Sequence, residues 1–125
     1  MTKSNPAATI WHNPACSSSR KALAALEDAG LTPRVIRYLD TGWTEESLQD
    51  LLAAAGLRPS DALRHKAPGA AALRGAAEAT ILAAMLADPV LVERPFVQTD
   101  RGTALCRPLA RLEDLLPLGA DPAKG

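Results

Sequence analysis

Cys16 stands at a position that favours a reactive thiolate. It lies between residues 9–12, whose apolar pattern predicts a strand, and residues 16–29, whose composition predicts a helix. At a helix N-terminus the first backbone N–H groups are unpaired, and their partial positive charge stabilises a thiolate or a bound oxyanion. A thiol placed there near His or Arg has a pKa below its ordinary value. The sequence therefore predicts a nucleophile beside an anion-binding turn.

The residues around Cys16 supply candidate partners for the thiolate and for an anion. His12 is a candidate to stabilise the thiolate by charge or by a hydrogen bond, or else simply ends the strand. Arg20, one helical turn further on, either shares the face of the thiolate or is solvated. Three hydroxyl residues offer side-chain and backbone donors to an anion, or cap the helix: Ser17, Ser18 and Ser19.

Two familiar cysteine motifs are missing from this segment. Ser19 stands where a Cys-x-x-Cys pair would carry its second thiol, and Ala22 stands where a Cys-x5-Arg phosphate loop would carry its arginine. The second cysteine, Cys106, lies in an apolar strand and is expected to be buried and inert, with a resolving role as the minority interpretation. A redox cycle on Cys16 would therefore need a thiol from outside the chain, or Cys106.

Three arginines are candidates for holding an oxyanion. Arg94 and Arg107 each precede a proline, and Arg64 precedes a His-Lys pair. Each alone is more often a surface cation, but three that converge on one thiolate would hold a tetrahedral anion through fork-shaped donors.

The order of the predicted elements indicates an α/β fold of the thioredoxin-like type. Helices follow the first strand and are predicted again at 44–56 and 77–87, and a hairpin at residues 90–106 and a helix at 108–116 follow them. The second strand is predicted at 33–39, a turn of helix at 59–64, and a loop at 65–72. We expect a mixed four-stranded sheet with flanking helices and a helical insertion after the second strand. In such a fold the bond between Arg94 and Pro95 is expected to be cis and to face the cysteine loop.

Composition narrows the class of protein. The chain has 125 residues, with 14 basic and 14 acidic side chains, so its net charge favours neither nucleic-acid nor membrane-surface binding. Two cysteines are too few for a disulfide framework or a zinc site. The first residues form no signal peptide, and no apolar run reaches about 18 residues. We expect a cytoplasmic protein with one domain at 8–118 and flexible tails at 1–7 and 119–125.

Four separated motifs resemble, in the same order, those of the glutathione/glutaredoxin-coupled arsenate reductase family. The resemblance spans residues 9–116, nearly the whole predicted domain. The motifs are His12-Asn13-Pro14-Ala15-Cys16 with Ser19-Arg20, Leu63-Arg64 with Lys66, Glu93-Arg94-Pro95-Phe96-Val97, and Gly102-Thr103 with Leu105-Cys106-Arg107-Pro108.

The resemblance implies the reduction of arsenate to arsenite. It implies that Cys16 attacks arsenate to form a covalent adduct and that His12 supports its thiolate. The arginines that resemble the family's oxyanion-binding triad are Arg64, Arg94 and Arg107. The substrate would also be bound by Ser17, Ser18, Ser19, Arg20 and Pro95. Glutathione is implied as co-substrate and glutaredoxin as partner, with no tightly bound cofactor and no metal.

Some features depart from the family, and other functions stay open. The chain lacks the longer charged tail of some relatives, and residues 68–74 are rich in Ala and Gly. One alternative is a regulator-like module that binds RNA polymerase, although Ser19 removes the Cys-x-x-Cys switch of that branch. Another is a monothiol oxidoreductase acting on glutathione mixed disulfides, and a third is a paralogue with a different substrate. A monomer is the default expectation.

Overall fold

Four strands in the described part of the chain form one mixed sheet. A computed structural model describes residues 8–107 and 109–116. The strands are β1 (Ala8–Trp11), β2 (Arg34–Ile36), β3 (Phe96–Thr99) and β4 (Gly102–Leu105). Their order across the sheet is β2-β1-β3-β4, with β1 parallel to β2 and antiparallel to β3, and β3 antiparallel to β4. This confirms the predicted thioredoxin-like arrangement of a parallel pair followed by a hairpin.

Short helices make up most of the remaining described chain. The α-helices are α1 (Ser17–Asp28), α2 (Tyr38–Thr41), α3 (Glu45–Ala55) and α4 (Glu78–Ala87). Single turns of 3-10 helix occupy Pro59–Ala62, Ala70–Leu73 and Pro89–Leu91, and a longer 3-10 helix occupies Leu109–Leu115. Within the described residues, none of these helices has the length and apolar character needed to cross a bilayer.

The chain divides into two compact units. The sheet unit comprises the described residues of 1–37 and 94–125, and the insertion unit comprises 38–93. In the sheet unit, Ile10 of β1 and Val97 of β3 are fully buried, and α1 contributes Ala22 and Leu26 to the same core. Each large aliphatic side chain buried in this way contributes about 1.5–3 kcal/mol. That core fixes the end of β1 and the start of α1, which is where Cys16 lies.

The insertion unit is helical and begins directly after β2. The Thr44 side chain accepts from the Ser47 N–H, and the Ser47 hydroxyl accepts from the Thr44 N–H, each at 3.0 Å, which caps α3. Gly56 caps the C-terminus of α3, and its φ of 71° favours glycine. Ser60 donates from both its N–H and its hydroxyl to the Glu78 carboxylate, each at 2.8 Å, which ties the 3-10 turn to the start of α4. The predicted helical insertion after the second strand is confirmed.

The predicted second strand, residues 33–39, is too long. β2 ends at Ile36, and Tyr38 begins α2 instead of continuing the strand. The Tyr38 ring is buried and lies 5.5 Å from the Trp43 ring, and Gly42 N–H donates to the Tyr38 carbonyl at 2.8 Å. Burial of the aromatic ring therefore overrides the alternating pattern that favoured a strand.

The predicted third strand also begins too early, at residue 90. Asp88 caps a 3-10 turn at Pro89–Leu91 by accepting from the Val90 N–H at 3.3 Å. The Leu91 carbonyl then accepts from Arg64 N–H at 2.8 Å, so this segment pairs inside the insertion unit rather than in the sheet. The predicted loop at 65–72 includes the start of a 3-10 turn, and the last helix is 3-10 rather than α. Pro108, its predicted first residue, lies outside the described residues. The predicted tails at 1–7 and 119–125 also lie outside them, as do residues 117 and 118.

Candidate active site

Cys16 caps the N-terminus of α1. Its backbone is extended, with φ −95° and ψ 123°, and Ser17 is the first helical residue. The Cys16 carbonyl accepts the helix bond from Arg20 N–H at 3.0 Å, while its own N–H donates back to the Asn13 carbonyl at 2.9 Å. The side chain is partly exposed. The thiol is therefore held at the mouth of the helix, within reach of solvent.

The surroundings of Cys16 lower its pKa. Partial burial raises the pKa, but the other effects together outweigh it. The backbone N–H of Ser19, the charge and side-chain hydrogen bond of Arg94, and the backbone N–H of Ser18 all favour the thiolate. Donors from a helix turn and a guanidinium thus meet at one sulfur, which is the arrangement that a nucleophilic thiolate needs.

The turn before Cys16 is held by bonds that the sequence interpretation missed. The Asn13 side-chain oxygen accepts from Ala15 N–H at 3.0 Å, and the Arg20 guanidinium donates to the Pro14 carbonyl at 2.8 Å. Asn13 is 8% exposed, and the Asn-Pro pair was a sequence signal for such a turn. Arg20 therefore braces the loop in this structure, and a direct role in binding the anion stays a prediction.

Ser19 faces His12 rather than the solvent. The Ser19 hydroxyl oxygen lies 2.6 Å from His12 Nδ1 and accepts from the Asn13 N–H at 3.0 Å. Ser19 is fully buried, unlike Ser17, which is exposed, and Ser18, which is half-buried. The expectation that the Ser19 hydroxyl offers a donor to an anion is therefore not supported by its orientation, because it is engaged with the protein. Its backbone N–H remains directed at Cys16.

The surroundings of His12 favour its neutral form. Burial lowers the pKa of its ring, and the positive charges of Arg37 and Arg20 lower that pKa further. Of the two roles expected for His12, stabilising the thiolate by positive charge is therefore disfavoured near neutral pH. A role through hydrogen bonding is compatible with the contact to Ser19.

Two of the three predicted arginines, Arg94 and Arg107, lie in the sheet unit, and the third, Arg64, lies in the insertion unit. Arg94 hydrogen-bonds to Cys16 and directly precedes Pro95, and the bond between them is cis, as predicted. Arg107 donates to the Arg94 carbonyl at 3.4 Å, which places the two neighbours side by side. Arg64 belongs to the insertion unit, where it is half-buried and its N–H donates to Leu91. Pro95 is buried, and its carbonyl accepts from Cys106 N–H at 2.9 Å.

Cys106 is part of the hydrophobic core of the sheet unit. It is fully buried, and burial raises the pKa of its thiol to about 12, although Arg111 acts in the opposite direction. The prediction of a buried cysteine is confirmed, and a thiol with this pKa holds almost no thiolate near pH 7. Among residues 8–107 and 109–116, no three His, Cys, Asp or Glu side chains group as a metal site would.

Comparison with known proteins adds the family. The model of the ArsC family matches residues 11–115. Arsenate reductase ArsI2 of Synechocystis sp. is 46% identical over 111 residues, which cover 86% of this chain and 79% of that protein. An arsenate reductase of Rhizobium meliloti is 42% identical over 113 residues, covering 87% and 81%. The solved structure of an arsenate reductase from Vibrio cholerae superposes with a TM-score of 0.83 at 33% identity, covering 90% of this chain and all of that one. The Cys16 turn, the cis proline and these likenesses lead to one conclusion, that this chain belongs to the ArsC family.

Proposed function

We propose that this protein reduces arsenate to arsenite, using Cys16 as the nucleophile and glutathione with glutaredoxin as the source of electrons. The observation that carries the proposal is the meeting of two helix N–H groups and the Arg94 guanidinium at the Cys16 sulfur. Arsenate is a tetrahedral oxyanion, and both kinds of donor suit it. Relatives named arsenate reductase cover most of the chain, which supports the same substrate.

The first steps bind arsenic to two sulfurs. The Cys16 thiolate attacks As(V), an S–As bond forms, and one arsenate oxygen leaves as water after it has taken up protons. A glutathione thiol then displaces a second oxygen as water, which leaves arsenic bound to Cys16 and to glutathione. Positive donors that stabilise the charge on the remaining oxygens lower the barrier to both steps.

The later steps transfer the electrons. A glutaredoxin thiol attacks the glutathione sulfur and forms a mixed disulfide with it. The electron pair of the broken S–As bond stays on arsenic, which becomes As(III). Water then takes the place of Cys16 on arsenic, so that arsenite leaves and the thiol is restored.

The cysteines of this chain favour a mechanism that takes its electrons from external thiols. Ser19 occupies the place of a second local cysteine, and Cys106 is buried with a raised pKa. We assign oxyanion binding to Arg94 and, on the resemblance to the family, to Arg64 and Arg107. The reaction consumes reduced glutathione, so we propose a cytoplasmic location.

A coupled assay tests the proposal. Purified protein is mixed with glutathione, glutathione reductase, glutaredoxin and NADPH, and NADPH consumption is followed with and without arsenate. We expect arsenate-dependent consumption that is lost in Cys16→Ser and largely kept in Cys106→Ala, which removes the other thiol without burying a new hydroxyl. Full turnover by Cys16→Ser would refute the nucleophile, and no arsenate dependence in the folded wild type would refute the substrate.

A monothiol oxidoreductase is the second candidate. A partly exposed Cys16 with a lowered pKa would also attack a glutathione mixed disulfide. Reduction of such a disulfide without any arsenate-dependent activity would favour this candidate.

A further inference from the structure

Ser19 contacts both His12 and Cys16, which the proposed mechanism treats separately. Its hydroxyl contacts His12 Nδ1, and its backbone N–H contacts the Cys16 sulfur. His12, Asn13 and Ser19 are all at most 8% exposed, so water does not easily replace these bonds. The contact between His12 and Ser19 spans seven residues and joins the end of β1 to the first turn of α1.

Counting protons favours one direction for the bond between Ser19 and His12. A serine hydroxyl has one hydrogen to donate and can accept two bonds. The Asn13 N–H already uses one acceptor position on the Ser19 oxygen. If His12 donated from Nδ1, the second position would be filled too, and the buried hydroxyl hydrogen would need an acceptor of its own. If Ser19 instead donates to an unprotonated Nδ1, the Asn13 N–H, the Ser19 hydroxyl and His12 Nδ1 all have a partner. The proton of the neutral ring is then on Nε2.

We propose that Ser19 is a positioning residue that couples His12 to Cys16. Its hydroxyl donates to Nδ1 of a neutral His12 ring, and this bond holds the turn whose Ser19 N–H donates to the Cys16 sulfur. His12 therefore acts on the thiolate through Ser19 and by geometry. It does not act as a positive charge.

The charges around His12 agree with this direction. The charged groups that act on the ring are Arg37, which follows β2, and Arg20 on α1, and both are positive. Each disfavours a second positive charge on the imidazole, as burial does. Cys16 is influenced by Ser19, Ser18 and Arg94. The effect on catalysis rests on the proposed function, whereas the protonation of the ring does not.

Nitrogen NMR of the histidine rings tests the first half of the proposal. The protein has two histidines, so spectra of the His65→Gln variant assign the His12 signals. We expect Nδ1 of wild-type His12 to be unprotonated and Nε2 to carry the proton at pH 7. A ring protonated at Nδ1, whether as the other tautomer or as the cation, would overturn the proposal. This result does not depend on whether arsenate is the substrate.

Two serine variants on the same turn test the coupling. In Ser19→Ala the neutral ring loses its donor, so the His12 titration midpoint should rise by about half a unit to one unit. The pH midpoint for alkylation of Cys16 by iodoacetamide should rise as well, because the turn loosens. Ser17→Ala is the matched control, since it removes an exposed hydroxyl one step outside the network, and the His12 ring signals should stay unchanged.

A double variant separates coupling from a general loss of order. If Ser19 acts together with His12, the alkylation midpoint of His12→Gln/Ser19→Ala should equal that of the more affected single variant. Additive shifts, or unchanged His12 and Cys16 midpoints in a folded Ser19→Ala protein, would overturn the coupling. If Ser19→Ala does not fold, the wild-type ring spectrum still decides the direction of the bond.

Discussion

Arg94 supplies both a charge and a hydrogen bond to the Cys16 sulfur. Removing both in Arg94→Ala should raise the pKa of Cys16 by about one unit or more, since a charge-assisted hydrogen bond is worth about 1.5–3 kcal/mol. The thiolate exists above its pKa, so the reactive range moves to higher pH. The rate of iodoacetamide alkylation between pH 5 and 9 measures this shift.

Two further variants sharpen that measurement. Arg94→Lys keeps the charge but loses the fork, and should fall between the wild type and Arg94→Ala. Arg34→Ala removes an exposed arginine of β2 and should leave the midpoint in place. An Arg94→Ala midpoint equal to that of the wild type would show that the helix N–H groups alone set the thiolate.

His12 should make the stability of the fold depend on pH. Its folded-state pKa is below the ordinary value of about 6.5, so in mild acid the unfolded chain binds a proton that the folded chain does not. The free energy of unfolding contributed by this ring is therefore fully present above about pH 6.5. It decreases as the pH falls from there towards the lower pKa of the folded state.

Urea unfolding at pH 7.5 and pH 5.5 checks this contribution. The difference between the two pH values should be smaller in His12→Gln than in the wild type. His65→Gln removes an exposed ring and is the matched control, so the pH difference should fall further in His12→Gln than in His65→Gln. A His12→Gln protein with an undiminished difference would contradict the prediction.

At the scale of the element, α3 depends on its capping box. Thr44→Ala removes the side-chain acceptor of the Ser47 N–H and should lower the free energy of unfolding by about 1 kcal/mol. Thr80→Ala, an exposed threonine inside α4, should have no such cost, since alanine has the higher helix propensity. Urea denaturation of both variants measures the difference, and equal losses would show that the cap is not what stabilises α3.

Elements whose ends are marked by capping residues were predictable from the sequence. The bounds of α3 follow from its N-cap residue Thr44 and from its C-cap residue Gly56, a glycine with positive φ. The end of β2 did not, because the burial of Tyr38 depends on partners that alternation does not reveal. The strand-to-helix position of Cys16 was predictable for the same local reason. The contact between Ser19 and His12 was not, since it depends on the shape of the turn between them.

At the scale of the whole molecule, the two thiols should behave as different chemical groups. Cys16 is partly exposed with a lowered pKa, and Cys106 is fully buried with a pKa of about 12. Iodoacetamide at pH 7 should therefore label the native protein once, at Cys16, and label it twice after unfolding in guanidinium. Mass spectrometry of the intact protein and its peptides counts and places the labels. Rapid native labelling of Cys106 would show that the core opens more easily than this packing implies.

The two outer strands of the sheet are short. β2 has three residues and β4 has four, and β2 begins with the exposed Arg34. An edge strand offers its unpaired backbone groups as a template for another chain, and short length and a charged side chain both weaken that template. Val35 on the same edge is 41% accessible and acts in the opposite direction, but its strand has only three residues. The edges of the sheet that positions the thiolate are therefore poor templates for pairing with a strand of another chain, which is how folded proteins aggregate through their sheets.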